Sequence, residues 1–158
     1  MPTHRLSRNA FERLQAEHLD LTTRGRIEVA QKIQRAREMG DLKENGDYHA
    51  AKDEQGHMEG RIRQLESMLE NAEIIEASAS GTVDLGCIVA IAYEGDDDDM
   101  AERYLIGHVE EKPADPRVSV MSPSSPLGAA LIGSATGATV SYQAPNGTLT
   151  VRVVSIEF

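Results

Sequence analysis

Between positions 8 and 39 apolar residues recur at helical spacing among charged ones, and no proline interrupts them. This predicts a long amphipathic helix, with Ser7 as its N-cap. Phe11, Leu14 and Leu21 mark one apolar stripe, and Val29, Ile33 and Ala36 mark another. The register shifts near Thr22-Thr23-Arg24-Gly25, which predicts a bend or irregular turn there. A second helix is cleaner: Ala51, Gln55, Met58, Ile62, Leu65, Leu69 and Ala72 alternate spacings of four and three, an a/d heptad seam. A seam needs an apolar partner, and the preceding helix lies only a short loop away. The pattern therefore predicts an antiparallel helical coiled-coil hairpin over residues 8–75. Pairing between two chains is the alternative, disfavoured by the Gly-bounded loop Gly40-Asp41-Leu42-Lys43-Glu44-Asn45-Gly46, which suits a chain reversal.

Past Ala77-Ser78-Ala79-Ser80-Gly81, a Ser/Ala/Gly linker, the period changes from helical to β. Residues 87–93, 103–109 and 118–121 read as strands, and so do 139–142 and 149–157 around Pro145-Asn146-Gly147, a hairpin turn signal. Ser125 followed by Pro126 opens a short helix, a cap and then proline in the first turn. The expected class is α+β: a hairpin over 1–76 with its tip at 40–47, a linker over 77–82, and an antiparallel sheet with one short helix over 83–158.

Composition narrows the reading. With no Trp, two Phe and four Tyr in 158 residues, the cores must be built from Ile, Val, Leu and Ala. No apolar run approaches the roughly 18 residues of a membrane span, and the polar N-terminus lacks a signal-peptide core; a cytoplasmic protein is expected. The single Cys87 excludes an internal disulfide and reads as a small apolar strand residue. The formal charge is −10, which argues against a free nucleic-acid binder. It is unevenly placed: residues 1–76 hold 12 Lys/Arg and 15 Asp/Glu, net −3, and residues 77–158 hold 4 and 11, net −7. Only the N-terminal part suits local contact with nucleic acid.

The candidate chemistry lies at the tip. Helices of about 30 residues reach roughly 45 Å, so the loop is carried far from any globular body. Asp41 and Glu44, three positions apart, are hard oxygen ligands suited to Mg²⁺. Two carboxylates leave that ion incompletely held, since it also takes waters and phosphate oxygens. The plainer reading is that Asp41 or Asn45 caps the second helix while Glu44 complements its dipole. Arg35, Arg37, Lys43 and Lys52 flank the pair, either as a solvated surface or as phosphate contacts. Tyr48 and His49 suit packing of the turn better than stacking on a base. The run Asp96-Asp97-Asp98-Asp99 lacks the spaced ligands of a calcium loop and reads as a solvated turn.

Two stretches carry a resemblance. Residues 36–45, then Tyr48-His49-Ala50-Ala51-Lys52, Gln55-Gly56 and Glu59-Gly60-Arg61-Ile62, closely resemble the bacterial Gre transcript-cleavage factors, more the GreA type than the basic GreB type. Ser125-Pro126-Leu127, Ala130-Leu131-Ile132-Gly133 and Pro145-x-Gly147 resemble that family's C-terminal domain. The resemblance implies an FKBP-like C-terminal domain that binds RNA polymerase, with Ser125 and Pro126 in the polymerase-binding segment. It implies a coiled coil entering the secondary channel. Asp41 and Glu44 match the two tip acids that help hold a catalytic Mg²⁺, completed by the polymerase. Arg37 and Lys52 match basic positions near the nascent RNA 3′ end, and Lys52 lacks the bidentate fork of arginine. The implied protein is a monomeric cofactor of the polymerase's own cleavage, not an enzyme by itself. The alternatives are a Gre-like channel inhibitor, disfavoured by the presence of both acids, and a peptidyl-prolyl isomerase-type folding helper, disfavoured by the scarcity of aromatics. A free Mg²⁺-dependent nuclease is disfavoured by the incomplete ligand set.

Overall fold

The first apolar-periodic stretch folds as one helical run in three segments. A computed structural model describes residues 2–40, 45–76 and 80–158 of the chain. Helix α1 (Arg8–Asp20) passes into a π-helical turn, Leu21–Gly25, and then into α2 (Arg26–Glu38). Asp20 and Gly25 both keep right-handed helical angles, so the irregularity expected there is a widened turn inside a continuing helix. Its cause is legible. Leu21 and Val29 lie eight residues apart, which overshoots two turns of 3.6 residues, and a turn that holds more residues absorbs the surplus. The threonine hydroxyls serve the disturbed ladder: Thr22 Oγ1 donates to the His18 carbonyl at 2.8 Å and Thr23 Oγ1 to the Leu19 carbonyl at 2.6 Å.

Helix α3 (Gly46–Glu70) packs on α2. Lys32 pairs with Glu54, Arg26 with Glu59 and His18 with Glu66. Numbers rising on one helix as they fall on the other mark an antiparallel pair. Leu14, Val29, Ile33 and Ala36 are buried, as are Ala51, Ile62, Leu65 and Met68. A fully buried Leu or Ile contributes roughly 1.5–3 kcal/mol, against at most about 1 kcal/mol for an exposed ion pair, so the apolar seam dominates. Gly25 sits where the helices come close, since an added Cβ would lie 3.1 Å from Met58 Sδ.

The seam departs from its expected course at the base. Met68 is buried and Leu69 only partly so. The helix stops at Glu70, and Ala72 opens a strand, β2 (Ala72–Ile75), that pairs with β1 (His4–Ser7) in a two-stranded sheet. Four-residue strands beside long helices leave no period of their own to read. The chain divides into two compact units, and the second takes in residues 5–10 as well as 73–158. Within it Ser7 caps α1 as expected, its Oγ accepting from the Ala10 N–H at 3.1 Å. Ser7 also donates to Glu111 through its N–H (2.9 Å) and its hydroxyl (2.6 Å).

The second unit holds a five-stranded sheet in the order β5-β4-β3-β7-β6. Its strands are β3 (Ile88–Tyr93), β4 (Glu102–Ile106), β5 (Val118–Met121), β6 (Thr139–Ala144) and β7 (Gly147–Glu157), with helix α4 (Pro126–Leu131) between β5 and β6. β4 and β5 run parallel while the other pairs are antiparallel, so the expected all-antiparallel sheet is in fact mixed. The chain between them, residues 107–117, returns to the end where β4 began. Strand β4 also stops at Ile106, leaving Val109 81% exposed. The core gathers Val83, Cys87, Val89, Ile91, Ile106, Leu131, Val151 and Val153. Cys87 is buried as expected, and burial pushes its thiol pKa up. The β6–β7 loop is Pro145-Asn146, with Gly147 pairing Ala144 at φ 131°, an angle that favours glycine.

Candidate functional site

Helix α2 closes at Met39, whose N–H donates to the Ala36 carbonyl at 3.2 Å, and Gly40 turns the chain at φ 128°. Asp41, Leu42, Lys43 and Glu44 lie outside the described residues. Asn45 caps α3: its Oδ1 accepts from the Tyr48 N–H at 3.1 Å, and its backbone carbonyl accepts from the His49 N–H at 3.2 Å. Its Nδ2 donates across the hairpin to the Ala36 carbonyl. Of the two capping residues the sequence left open, Asn45 occupies the position, and Asp47 in the first turn complements the helix dipole.

Behind this cap the Arg37 guanidinium lies over the Tyr48 ring, 5.8 Å from its centroid, within cation–π range. His49 meets the same ring edge-on at 5.7 Å. Tyr48 is half-buried, in line with its expected packing role. Lys52 is exposed and donates from Nζ to Gln55 Oε1 at 2.9 Å. The structure thus sets Arg37 against the first turn of α3 and leaves Lys52 four residues further along that helix. Arg35 lines a separate groove of about 360 Å³ with Lys32, Met39, Asp47 and Glu54. Met39 is 71% exposed there, an apolar side chain among charged ones.

Among the described residues no group of three or more His, Cys, Asp or Glu could hold a metal ion. Asp41 and Glu44 fit Mg²⁺ by donor type, hard carboxylate oxygens, and fall short of it by number. The tetra-aspartate run forms a turn pinned by Arg152, which pairs with Asp98 and donates to the Asp96 carbonyl at 3.3 Å. It is a held surface loop, as expected.

In the second unit Ser125 caps α4, its Oγ accepting from the Gly128 N–H at 3.1 Å and donating to the Ser122 carbonyl at 2.7 Å. Pro126 follows at the first helical turn and lines a shallow groove with Ala130, Ser141, Tyr142 and Gln143. Gly128 is buried so tightly that a Cβ would meet the Ser122 carbonyl oxygen at 2.0 Å. Sequence reasoning missed how the tyrosines gather. Tyr93 and Tyr142 hydroxyls lie 3.3 Å apart, and Tyr104 donates to Glu102. The bond to Tyr142, with burial, raises the Tyr93 pKa to about 12.

Two family profiles match successive parts of the chain. One, described as transcription elongation factor, N-terminal, matches residues 4–74; the other, transcription elongation factor, GreA/GreB, C-term, matches residues 78–158. The chain is 45% identical over 154 residues to a protein named transcription elongation factor GreA from Streptomyces avermitilis, covering 96% of this chain and 92% of that one. A protein of the same name from Mycobacteroides abscessus is 47% identical, with 96% and 93% covered. Among solved structures, the GreA factor homolog 1 of Thermus thermophilus matches at 27% identity over 99% of this chain and 100% of that one, with a TM-score of 0.44. The GreA/GreB factor of Nitrosomonas europaea matches at 19% identity over 99% and 100%, with a TM-score of 0.40.

Proposed function

The chain belongs to the GreA/GreB family of transcription elongation factors, and we propose that it enters the secondary channel of RNA polymerase and stimulates cleavage of backtracked nascent RNA. The observation that carries this reading is the pairing of family matches over both parts of the chain with a tip whose helix cap is taken by Asn45. With that capping place filled, α3 does not call on Asp41 for its cap. The Asp41 and Glu44 carboxylates approach the polymerase's active centre and contribute oxygen ligands to a Mg²⁺ whose remaining ligands come from the polymerase and the RNA. When bound, that ion supplies an activated water for in-line attack on the phosphodiester. The chain's own share is to deliver and hold two oxygen donors.

Arg37, steadied over Tyr48, and Lys52, on the next turn of α3, offer positive charge to the RNA 3′ segment. A rigid guanidinium loses little freedom on meeting phosphate. The net −7 of residues 77–158 disfavours contact with nucleic acid there, so the second unit, with Ser125 and Pro126, grips polymerase protein. The factor acts as a monomer in the cytoplasm and is not a nuclease by itself. Channel occupancy without cleavage is the competing reading, and the presence of both acids weighs against it.

The test uses stalled, backtracked elongation complexes. Asp41→Ala and Glu44→Ala should each lower stimulated cleavage at least about tenfold, ~1.4 kcal/mol of barrier, with polymerase affinity unchanged. Single variants that cleave like wild type would contradict the reading. A photo-crosslinker placed at Lys43 should trap the RNA 3′ segment or the polymerase active centre. Crosslinks confined to the polymerase exterior would exclude channel entry.

A further inference from the structure

Asn45 is more than a helix cap. Capping needs only an acceptor for an N–H of the first turn, and Asn, Asp and Ser serve about equally well. Asn alone among these adds an amide NH₂ donor, and here that donor is used. Nδ2 reaches across the hairpin to the Ala36 carbonyl, which already accepts the Met39 N–H in closing α2. Ala36 is buried, 3% exposed, so its carbonyl is shielded from solvent. One side chain therefore bonds the end of α2 and the start of α3 at once.

We propose that Asn45 is a positioning residue for the tip carboxylates: its two-sided bond fixes the distance between the helix ends from which Asp41 and Glu44 are strung. This rests on the reading of those acids as metal ligands. Mg²⁺ demands near-ideal octahedral geometry at about 2.0–2.1 Å, and a misplacement of roughly 1 Å at a reacting centre costs about a hundredfold. A hairpin held only by its seam leaves its last turns to fray. The cross-bond removes that slack where the chain delivers its ligands. Arg37 and Tyr48 lie in the same two turns and are steadied with it.

The test is a set of substitutions at Asn45 in the full chain. Asn45→Asp is close in shape and Asn45→Ser is neutral; both keep the cap acceptor and lose the amide NH₂ that reaches Ala36, the serine hydroxyl being the shorter group. Both should melt within about 2 °C of wild type and bind polymerase unchanged. Both should need at least about fivefold more Mg²⁺ for half-maximal cleavage, recovering near-wild-type rates at saturating Mg²⁺. Agreement between a charged and a neutral variant separates lost geometry from altered charge. The second measurement needs neither metal nor polymerase: backbone order parameters of Gly40 and Gly46 in the free protein. These should fall from near the rigid value of about 0.85 toward 0.6 in both variants.

Wild-type Mg²⁺ dependence together with unchanged order parameters would reduce Asn45 to an ordinary cap. Asp41→Ala and Glu44→Ala run alongside. If they cleave like wild type, the ligand reading fails and the order parameters still decide whether Asn45 holds the span. If they are inactive while both Asn45 variants keep wild-type Mg²⁺ dependence, the positioning role fails and the ligand reading stands.

Discussion

At the scale of single residues, caps and turns were the most legible features. Ser7 and Ser125 were readable because a short hydroxyl before a helical run has one local use, and each is bonded to an N–H three residues on. Cys87 was readable as core because a lone Cys amid β-branched residues has nowhere else to go. Asn45 was half readable. Its capping acceptor follows from local spacing, but its bond to Ala36 depends on a helix nine residues back in the chain. The tyrosine pair was not readable, since Tyr93 and Tyr142 meet only through sheet order. That pair carries a pH signature. The phenol is neutral when protonated, and folding favours that form, raising the Tyr93 pKa from 10 to about 12. The contribution to stability is whole below about pH 10 and fades as pH rises toward 12, because the unfolded chain gives up its proton first. Tyr142→Phe removes the larger cause. In this variant the Tyr93 ring carbon followed by NMR should titrate nearer 10, and an unshifted titration would show that burial alone sets it.

At the scale of elements, the heptad seam foretold the hairpin, and the offset between two apolar stripes foretold the irregular turn at Leu21–Gly25. Sequence could place that surplus residue without saying how a helix absorbs it. The answer, a π-turn served by threonine hydroxyls, depends on continuity with both flanking helices. The mixed sheet was hidden for a different reason: period-2 alternation reports which face is buried and is silent on strand direction. Residues 107–117, with Pro113 and Pro116, give no period at all. Two substitutions weigh the elements. Ile62→Ala in the seam should cost about 2–5 kcal/mol, read as a fall in the hairpin's urea midpoint; a loss under about 1 kcal/mol would mean the seam is not the main support. Gly128→Ala sets a Cβ against a backbone oxygen that cannot yield. It should destabilise the second unit by roughly 2 kcal/mol or more, whereas an unchanged melt would show that α4 shifts freely.

For the whole molecule, the α+β class and the order of hairpin then sheet were legible from the change of period near residue 80. The inclusion of residues 5–10 in the second unit was not, because Ser7 and Glu111 lie 104 residues apart. Charge divides near the change of period: net −3 over residues 1–76 and net −7 over residues 77–158. A body so charged repels naked nucleic acid, and under the proposed function RNA meets the chain at its tip while the polymerase supplies the specificity. Under that reading the two carboxylates of Asp41 and Glu44 are too few to hold Mg²⁺ by themselves. The central claim is therefore that this protein lends two carboxylates to a reaction another protein performs. The most direct test follows RNA length in backtracked elongation complexes with Mg²⁺, adding the wild type, the Asp41→Ala/Glu44→Ala double variant, or neither. The account predicts shortened transcripts with the wild type alone, and naked RNA left intact by it. Undiminished cleavage with the double variant, or cutting of RNA without polymerase, would contradict it.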